Sequence, residues 1–468
     1  MRSSAVRAFV ASCAVFVAAC GGGGRTCRID EPTSCPAEQS CEEVAGGMAG
    51  QRMCFAPVSI RGRVFNIGNS TGIEGARVVA IDTNGSAASG VGVSDATGAY
   101  TLRIPAARNS DGTVQSIAQY TLRADAQNFQ TFPSGIRVAI PIDTSTRMMM
   151  NNATFVQNAT TDIGLFALAP DARGTIAGRV DATFPQRAGV LVTATAGMAT
   201  ATAISGTDGT FVVFNAPVGA NTVSGYASGL QLTPAMATVT AGPRTENVVL
   251  SMATTATGSV SGSINIVNGG GGGSTSVVLV VASTFNAVTE RGEVPRGLRA
   301  NDVTGAFRIE GVPDGDYVIL PGFGNDGLVR DPDVNIGGTA ILRVTVPTAG
   351  SRDVALAGSF KVTGALNNPS PGRDAPEAVM GTPTFQWDDD SSEDGYSVVV
   401  YDAFGTVRWM TDLPSVSGAR PSAMYAGPAL EAGMYYQFRA TSWRTGRMGR
   451  TNISRTEELR GVFFVPRP

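Results

Sequence analysis

After Pro57 the chain is built from short apolar runs broken by Gly, Asn and Asp, and one order of features occurs three times. Each copy opens on a Gly-x-Val or its equivalent, at Gly62-Arg63-Val64, Gly178-Arg179-Val180 and Gly262-Ser263-Ile264. An apolar run follows, Ala76 to Ala80, Val190 to Ala194 and Val277 to Val281. Next comes a turn carrying Asp and Gly, then an aromatic two residues past the glycine: Gly98 and Tyr100, Gly209 and Phe211, Gly305 and Phe307. Gly accepts positive φ and Asp bonds its own backbone, so these are hairpin turns, and the aromatic falls on the buried face of the next strand. Strands this short and regularly punctuated, with no convincing amphipathic helix, predict an all-β chain.

A proline-glycine corner follows in two copies, Pro217-Val218-Gly219 and Pro313-Asp314-Gly315-Asp316-Tyr317. In the first copy it is stretched into a polar insertion from Ala106 to Ala118, ahead of Tyr120-Thr121-Leu122. Each copy closes on a similar strand, at Ile163-Gly164-Leu165, Val248-Val249-Leu250 and Val354-Ala355-Leu356. This order resembles the carboxypeptidase regulatory-like domain, a transthyretin-like seven-stranded β-sandwich, and the run from Gly305 to Tyr317 is its most specific part. The second copy departs from the pattern with Thr222 and Val223 where the last aromatic would stand, and the first lacks the compact corner. The resemblance implies a non-catalytic module that serves as spacer, scaffold or binding unit.

The last 110 residues differ, and all three tryptophans lie there. Phe385-Gln386-Trp387, Tyr396-Ser397-Val398-Val399-Val400-Tyr401 and Met434-Tyr435-Tyr436-Gln437-Phe438 resemble a fibronectin type III-like sandwich. That likeness makes Trp387 the inter-sheet core residue and Tyr435 or Tyr436 a corner tyrosine. Trp409 and Trp443 are then the candidates for an exposed sugar-stacking platform, weighed against half-buried packing. The acidic run supplies a candidate Ca²⁺ site at Asp388, Asp390, Glu393 and Asp394, since hard cations take oxygen ligands. Its spacing departs from the EF-hand loop, because Glu393 stands where Gly is required, so a solvated loop is the plainer expectation. Met148-Met149-Met150 is a soft-ligand cluster for Cu(I), but with no Cys or His beside it a strand or linker role is expected.

Six cysteines precede residue 55 and none follows. Cys27, Cys35, Cys41 and Cys54 read as two disulfides stapling a segment too short to fold on apolar burial alone, with three pairings open. Their gaps of seven, five and twelve residues do not fit a zinc site. Ahead of them, Arg2, Arg7, an apolar run from Ala8 to Ala19 and Val17-Ala18-Ala19-Cys20 resemble a bacterial lipoprotein signal peptide. That resemblance implies cleavage before Cys20, a lipid on its thiol, and, with Gly21 rather than Asp next, the outer membrane.

The expected organisation is a leader over 1–19, a glycine leash and cysteine knot over 20–57, carboxypeptidase regulatory-like units over 58–170, 174–253 and 256–358, and the fibronectin III-like unit over 359–468. The fold expectation is tandem Greek-key β-sandwiches arranged as a stiff rod. The chain has no histidine, which excludes Ser-His-Asp and Cys-His catalysis and His-ligated zinc. Formal charge is −3 with no basic patch, so nucleic acid is not an expected partner. The functional expectation is a lipid-anchored envelope protein, not an enzyme and without cofactor, acting as a structural, spacer or adhesion module. Its partners are the membrane, through the lipid, and surface polysaccharide or protein. The alternatives are a carbohydrate-binding surface protein and an accessory subunit of an extracellular hydrolase.

Overall fold

The computed structural model describes residues 25–28, 34–36, 39–44, 51–109, 111–114, 119–134, 137–150, 153–169, 173–267, 273–287, 289–322, 326–330, 341–390, 392–416, 420–446 and 449–467. Cys20 and most of the Gly269–Gly273 run fall outside the described residues. Among the described residues the regular structure is β-strand with three single 3₁₀ turns, and no helix is long and apolar enough to cross a membrane.

The three sequence copies share one wiring. In the second, Arg173–Asp181 lies between Thr210–Pro217, antiparallel, and Arg244–Ser251, parallel. The facing sheet runs Ala199–Ile204, Leu191–Ala196, Gly219–Tyr226, Ala235–Val239, and Ile176, Val192, Phe211 and Leu250 fill the space between. In the first copy Val58–Asn66 pairs with Ala99–Ile104 antiparallel, and with Ala153–Val156 and Ile163–Leu165 parallel. In the third, Gly258–Val267 pairs with Ala306–Val312 antiparallel and Asp353–Ala355 parallel, and it also takes Phe360–Gly364, which lies beyond residue 358, as a further parallel strand.

The shared glycine has a steric reason. Gly62, Gly178 and Gly262 stand directly opposite Tyr100, Phe211 and Phe307 in the antiparallel ladder. The ring lies over the glycine. A Cβ at position 178 would sit 2.6 Å from Phe211 Cζ and 2.0 Å from the Val248 carbonyl oxygen. The turn before each aromatic is held as expected in the first copy, where Asp95 Oδ1 accepts from the Thr97 and Ala99 N–H groups and Gly98 has φ +84°.

The last unit packs one sheet, Glu377–Ala378, Val462–Phe464, Tyr435–Gly446, Gly395–Asp402, Val407–Pro414, with Gly449–Arg455 also on Tyr435–Gly446, against the pair Thr384–Gln386 and Ser422–Met424. Trp387, Tyr396, Phe385, Tyr436 and Phe438 form its core. Of the two adjacent tyrosines, Tyr436 is the buried one, and its hydroxyl accepts from the Glu431 N–H at 2.8 Å.

At the start of the described chain, Ser40–Glu43 pairs with Arg52–Phe55, and the disulfides join Cys27 to Cys41 and Cys35 to Cys54. This knot is seated on the first sandwich. Arg108, from the polar insertion, donates to Glu42 at 2.6 Å and to the Ala56 carbonyl at 2.8 Å, and lies over the Phe55 ring. Burial raises the Glu42 carboxyl above its ordinary value, and the Arg108 guanidinium works against that.

The four sandwiches do not form a rod. Val79 of the first and Leu191 and Ile204 of the second belong to the same apolar core as Val277, Leu279 and Tyr317 of the third. The first meets the last through Ile140 with Ala403 and Val462, and through Phe65 and Phe404, edge to face at 5.4 Å. Second and third are joined backbone to backbone, Ser228 N–H to the Arg296 carbonyl at 2.8 Å and Gly229 N–H to the Gly311 carbonyl at 2.7 Å. In a rod the outer face of each sandwich would stand open to solvent. Strands apolar on both faces, such as Val78-Val79-Ala80, need cover on both, and the neighbouring sandwich supplies it.

Candidate functional site

Where the four sandwiches meet they leave a cavity of about 650 Å³. The first contributes Asp82, Arg123 and Arg137, the second Arg173 and Thr202, the third Arg291 and Glu293, and the last Arg439 and Glu458. Arg123 is set by its strand. Gln119–Asp125 is buried on both faces at its C-terminal end, and Arg123 there is 3% exposed. It donates to Asp125, to Glu293 at 3.1 Å and to Thr202 Oγ1 at 2.8 Å, so one guanidinium ties three sandwiches together. Burial opposes its charge, but Asp125 and Glu293 outweigh that and raise its pKa.

On the opposite wall Glu458 is shared by three arginines, of which Arg291 and Arg439 line the cavity and Arg455 stands behind it. Glu458 lies 3.1 Å from Arg291, 3.6 Å from Arg439 and 3.9 Å from Arg455. Burial would push its carboxyl up, but the arginines prevail and hold it at about 2. Burial pushes Arg439 down to about 10, against the pull of Glu458. Arg137 is 6% exposed, and no carboxylate among the described residues stands within ion-pair distance of it. It donates to the Phe404 carbonyl at 2.8 Å and to the Gly164 carbonyl, between the rings of Phe132 and Phe166, each 4.7 Å away. Burial pushes it down to about 10. Arg137 Nη1 and Arg291 Nε are buried without a hydrogen-bond partner. Each acid of the wall is engaged by arginine, Asp82 by Arg299 at 2.6 Å. An arginine-rich wall of this kind is suited chemically to holding an oxyanion.

The residues singled out in the sequence lie elsewhere. Trp409 is half-buried against Phe385 and Tyr425. Trp443 is half-buried beneath the Arg450 guanidinium, 4.1 Å from its ring centre. Neither is an open stacking face, and Trp387 is fully buried. The acids of the 388–394 loop turn to separate partners: Asp388 to Arg420, Asp389 to the Tyr396 hydroxyl, Asp390 to the Ser442 hydroxyl and Asp394 to the Thr445 N–H. Glu393 is raised by burial, with Asp389 and Asp390 adding to it. Asp388, Asp390, Glu393 and Asp394 are thus not gathered on one point, and among the described residues no three carboxylates converge at metal-site spacing. Met148–Met150 is an edge strand with all three side chains exposed, and strand alternation points Met149 away from its neighbours.

Sequence reasoning missed the arginine junction because its members are scattered over more than 300 residues in four units. One signal was present: Arg123 and Asp125 stand two residues apart, on one face of a strand whose Tyr120, Leu122 and Ala124 are apolar, which a buried ion pair explains.

No protein-family model matches the chain, and no curated protein matches it. Solved structures similar to it include the Bacillus anthracis TIE protein, at 9% identity and TM-score 0.16, over 85% of this chain and 66% of that one. A DUF3823 family protein from Bacteroides uniformis matches at 13% identity and TM-score 0.22, over 44% of this chain and 99% of that one. Two B repeat units of the collagen binding protein of Staphylococcus aureus match at 12% identity and TM-score 0.17, over 85% of this chain and 99% of that one. Likeness of this degree carries no argument about function.

Proposed function

We propose that the chain is an exported surface protein, tethered through lipid on Cys20, whose four sandwiches form one non-catalytic structural or adhesive platform. The three repeated units are of the carboxypeptidase regulatory-like kind and the last is fibronectin III-like. The observation that carries this reading is the seating of the knot. Arg108 and Glu42 form a buried pair between knot and first sandwich, and only six residues separate Cys20 from Cys27. Seven extended steps span at most about 25 Å, so a lipid on Cys20 holds the platform close to the membrane rather than projecting it. Leader, lipid and outer-membrane residence are tested together. The wild-type protein is expected in the detergent phase of a Triton X-114 partition, labelled by palmitate, and in the outer-membrane fraction of a density gradient. Cys20→Ser is expected in the aqueous phase without label. A Cys20→Ser protein that still partitions into detergent overturns the tether.

A further inference from the structure

We infer that the four-sandwich junction is a binding site for a carboxylated oligosaccharide. This goes beyond the platform reading and does not depend on the lipid tether.

The cavity's size comes first. At about 650 Å³ it falls within the roughly 300–1,000 Å³ of small-molecule sites. It is assembled from all four units, so its shape is fixed by the same contacts that hold the body together. Its charge is one-sided. Arg123, Arg137, Arg173, Arg291 and Arg439 line it against Asp82, Glu293 and Glu458, with Asp125 paired to Arg123 and Asp402 supporting the charge of Arg137 from beyond ion-pair distance. Arg137 Nη1 and Arg291 Nε are buried N–H groups without a hydrogen-bond partner, on two arginines that line the cavity, and unpaired donors of this kind favour an oxygen acceptor brought close to them. Guanidinium groups in such a setting select planar oxyanions, carboxylate among them.

The rest of the wall argues for sugar over a bare anion. Thr200, Ser283 and Thr289 offer hydroxyl groups, and Phe129 and Phe214 offer apolar faces. Phosphate is far too small to use them. A chain of uronic acid residues presents hydroxyls, C–H faces and a carboxylate on every ring, and each has a counterpart on this wall. The carboxylates belong on the Arg137, Arg291 and Arg439 side and the neutral edges toward the second and third sandwiches.

The test is calorimetric titration of the full-length protein with trigalacturonate, trimannuronate and a hyaluronate tetrasaccharide, beside methyl-esterified trigalacturonate and inorganic phosphate. At least one acidic oligosaccharide is expected to bind saturably. Arg291→Gln is expected to weaken it tenfold or more, and raised salt to weaken it further. Ser283→Trp, at an exposed rim position, is expected to abolish binding by filling the mouth while leaving the ion pairs intact, so it serves even where the arginine variant fails to fold. No heat with any of the three acids overturns the inference. Equal binding of the ester overturns its carboxylate part, phosphate binding as tightly as the best oligosaccharide overturns its saccharide part, and binding unaffected by Ser283→Trp places the ligand elsewhere.

Discussion

Gly178→Ala tests the steric rule that runs through the three repeats. The added Cβ would meet the Val248 carbonyl oxygen at 2.0 Å and Phe211 Cζ at 2.6 Å. The ring can tilt, but the carbonyl belongs to the closing strand, whose Val248 is the parallel partner of Gly178. Restoring a tolerable separation of about 3 Å moves that strand by about 1 Å, which combines overpacking with loss of one or two ladder hydrogen bonds, about 3–5 kcal/mol in all. Gly197→Ala is the control. Gly197 lies in the same sandwich at φ +61° with open space around it, so the substitution costs only the left-handed backbone penalty of about 1–2 kcal/mol. Tryptophan fluorescence would miss either effect, because every tryptophan is in the last unit. Hydrogen exchange on peptides covering Arg173–Asp181 and Arg244–Ser251 reads it directly. At about 1.4 kcal/mol per tenfold, protection in those strands should fall by about a hundredfold to a few thousandfold for Gly178→Ala and by about five- to thirtyfold for Gly197→Ala. Equal losses in the two variants would refute the argument that the ring and the closing strand together require glycine.

Four further outcomes follow from the interlock. Small-angle scattering of the full chain should give a radius of gyration near 22–24 Å, the value for a compact body of this length, whereas a 100 Å rod gives about 29 Å or more. Arg123→Met strands Asp125 in the interior and should cost about 3–5 kcal/mol in denaturant unfolding, with restoration by a simultaneous Asp125→Leu change. The Glu458 carboxyl is held at about 2 when folded, below its unfolded value. Its contribution, at most about 3 kcal/mol, is therefore fully present above roughly pH 4.5 and disappears as pH falls toward 2. Glu458→Gln should accordingly lower stability at pH 7 and flatten its loss between pH 5 and pH 2.5. Arg108→Ala should release the knot from the first sandwich, speeding tryptic cleavage after Arg52 at least tenfold with little effect on exchange in the second sandwich.

The repeats were legible because their signals are local. A glycine facing an aromatic, an Asp-Gly turn and an alternating strand are each written within about ten residues, and each answers to a steric or hydrogen-bonding rule that operates over that distance. The cysteine pairing was not legible, since Cys41 stands opposite Cys54 in the ladder yet bonds to Cys27. Tryptophan content left the choice between a stacking platform and half-buried packing open. Phe385, Tyr425 and Arg450 lie against Trp409 and Trp443 through contacts distant in sequence, which no local pattern announces.

The packing of sandwich on sandwich was written in the exceptions to alternation. Val277 to Val281 is apolar at every position, and the structure divides it: Val277, Leu279 and Val281 enter the shared core while Val278 and Val280 pack under Val294 and Phe285 on the other face. Val78-Val79-Ala80 divides likewise, Val78 and Ala80 to their own sandwich and Val79 to the third. A continuous apolar run in an antiparallel sheet is a statement that both faces are covered. In a tandem array the second cover can only be a loop or another unit, and a charged pair in such a strand, like Arg123 with Asp125, must then find its remaining partners across the boundary. The same residues that close the array thereby line what is left open at its centre, which is why the cavity is rich in arginine although the chain as a whole carries a net negative charge.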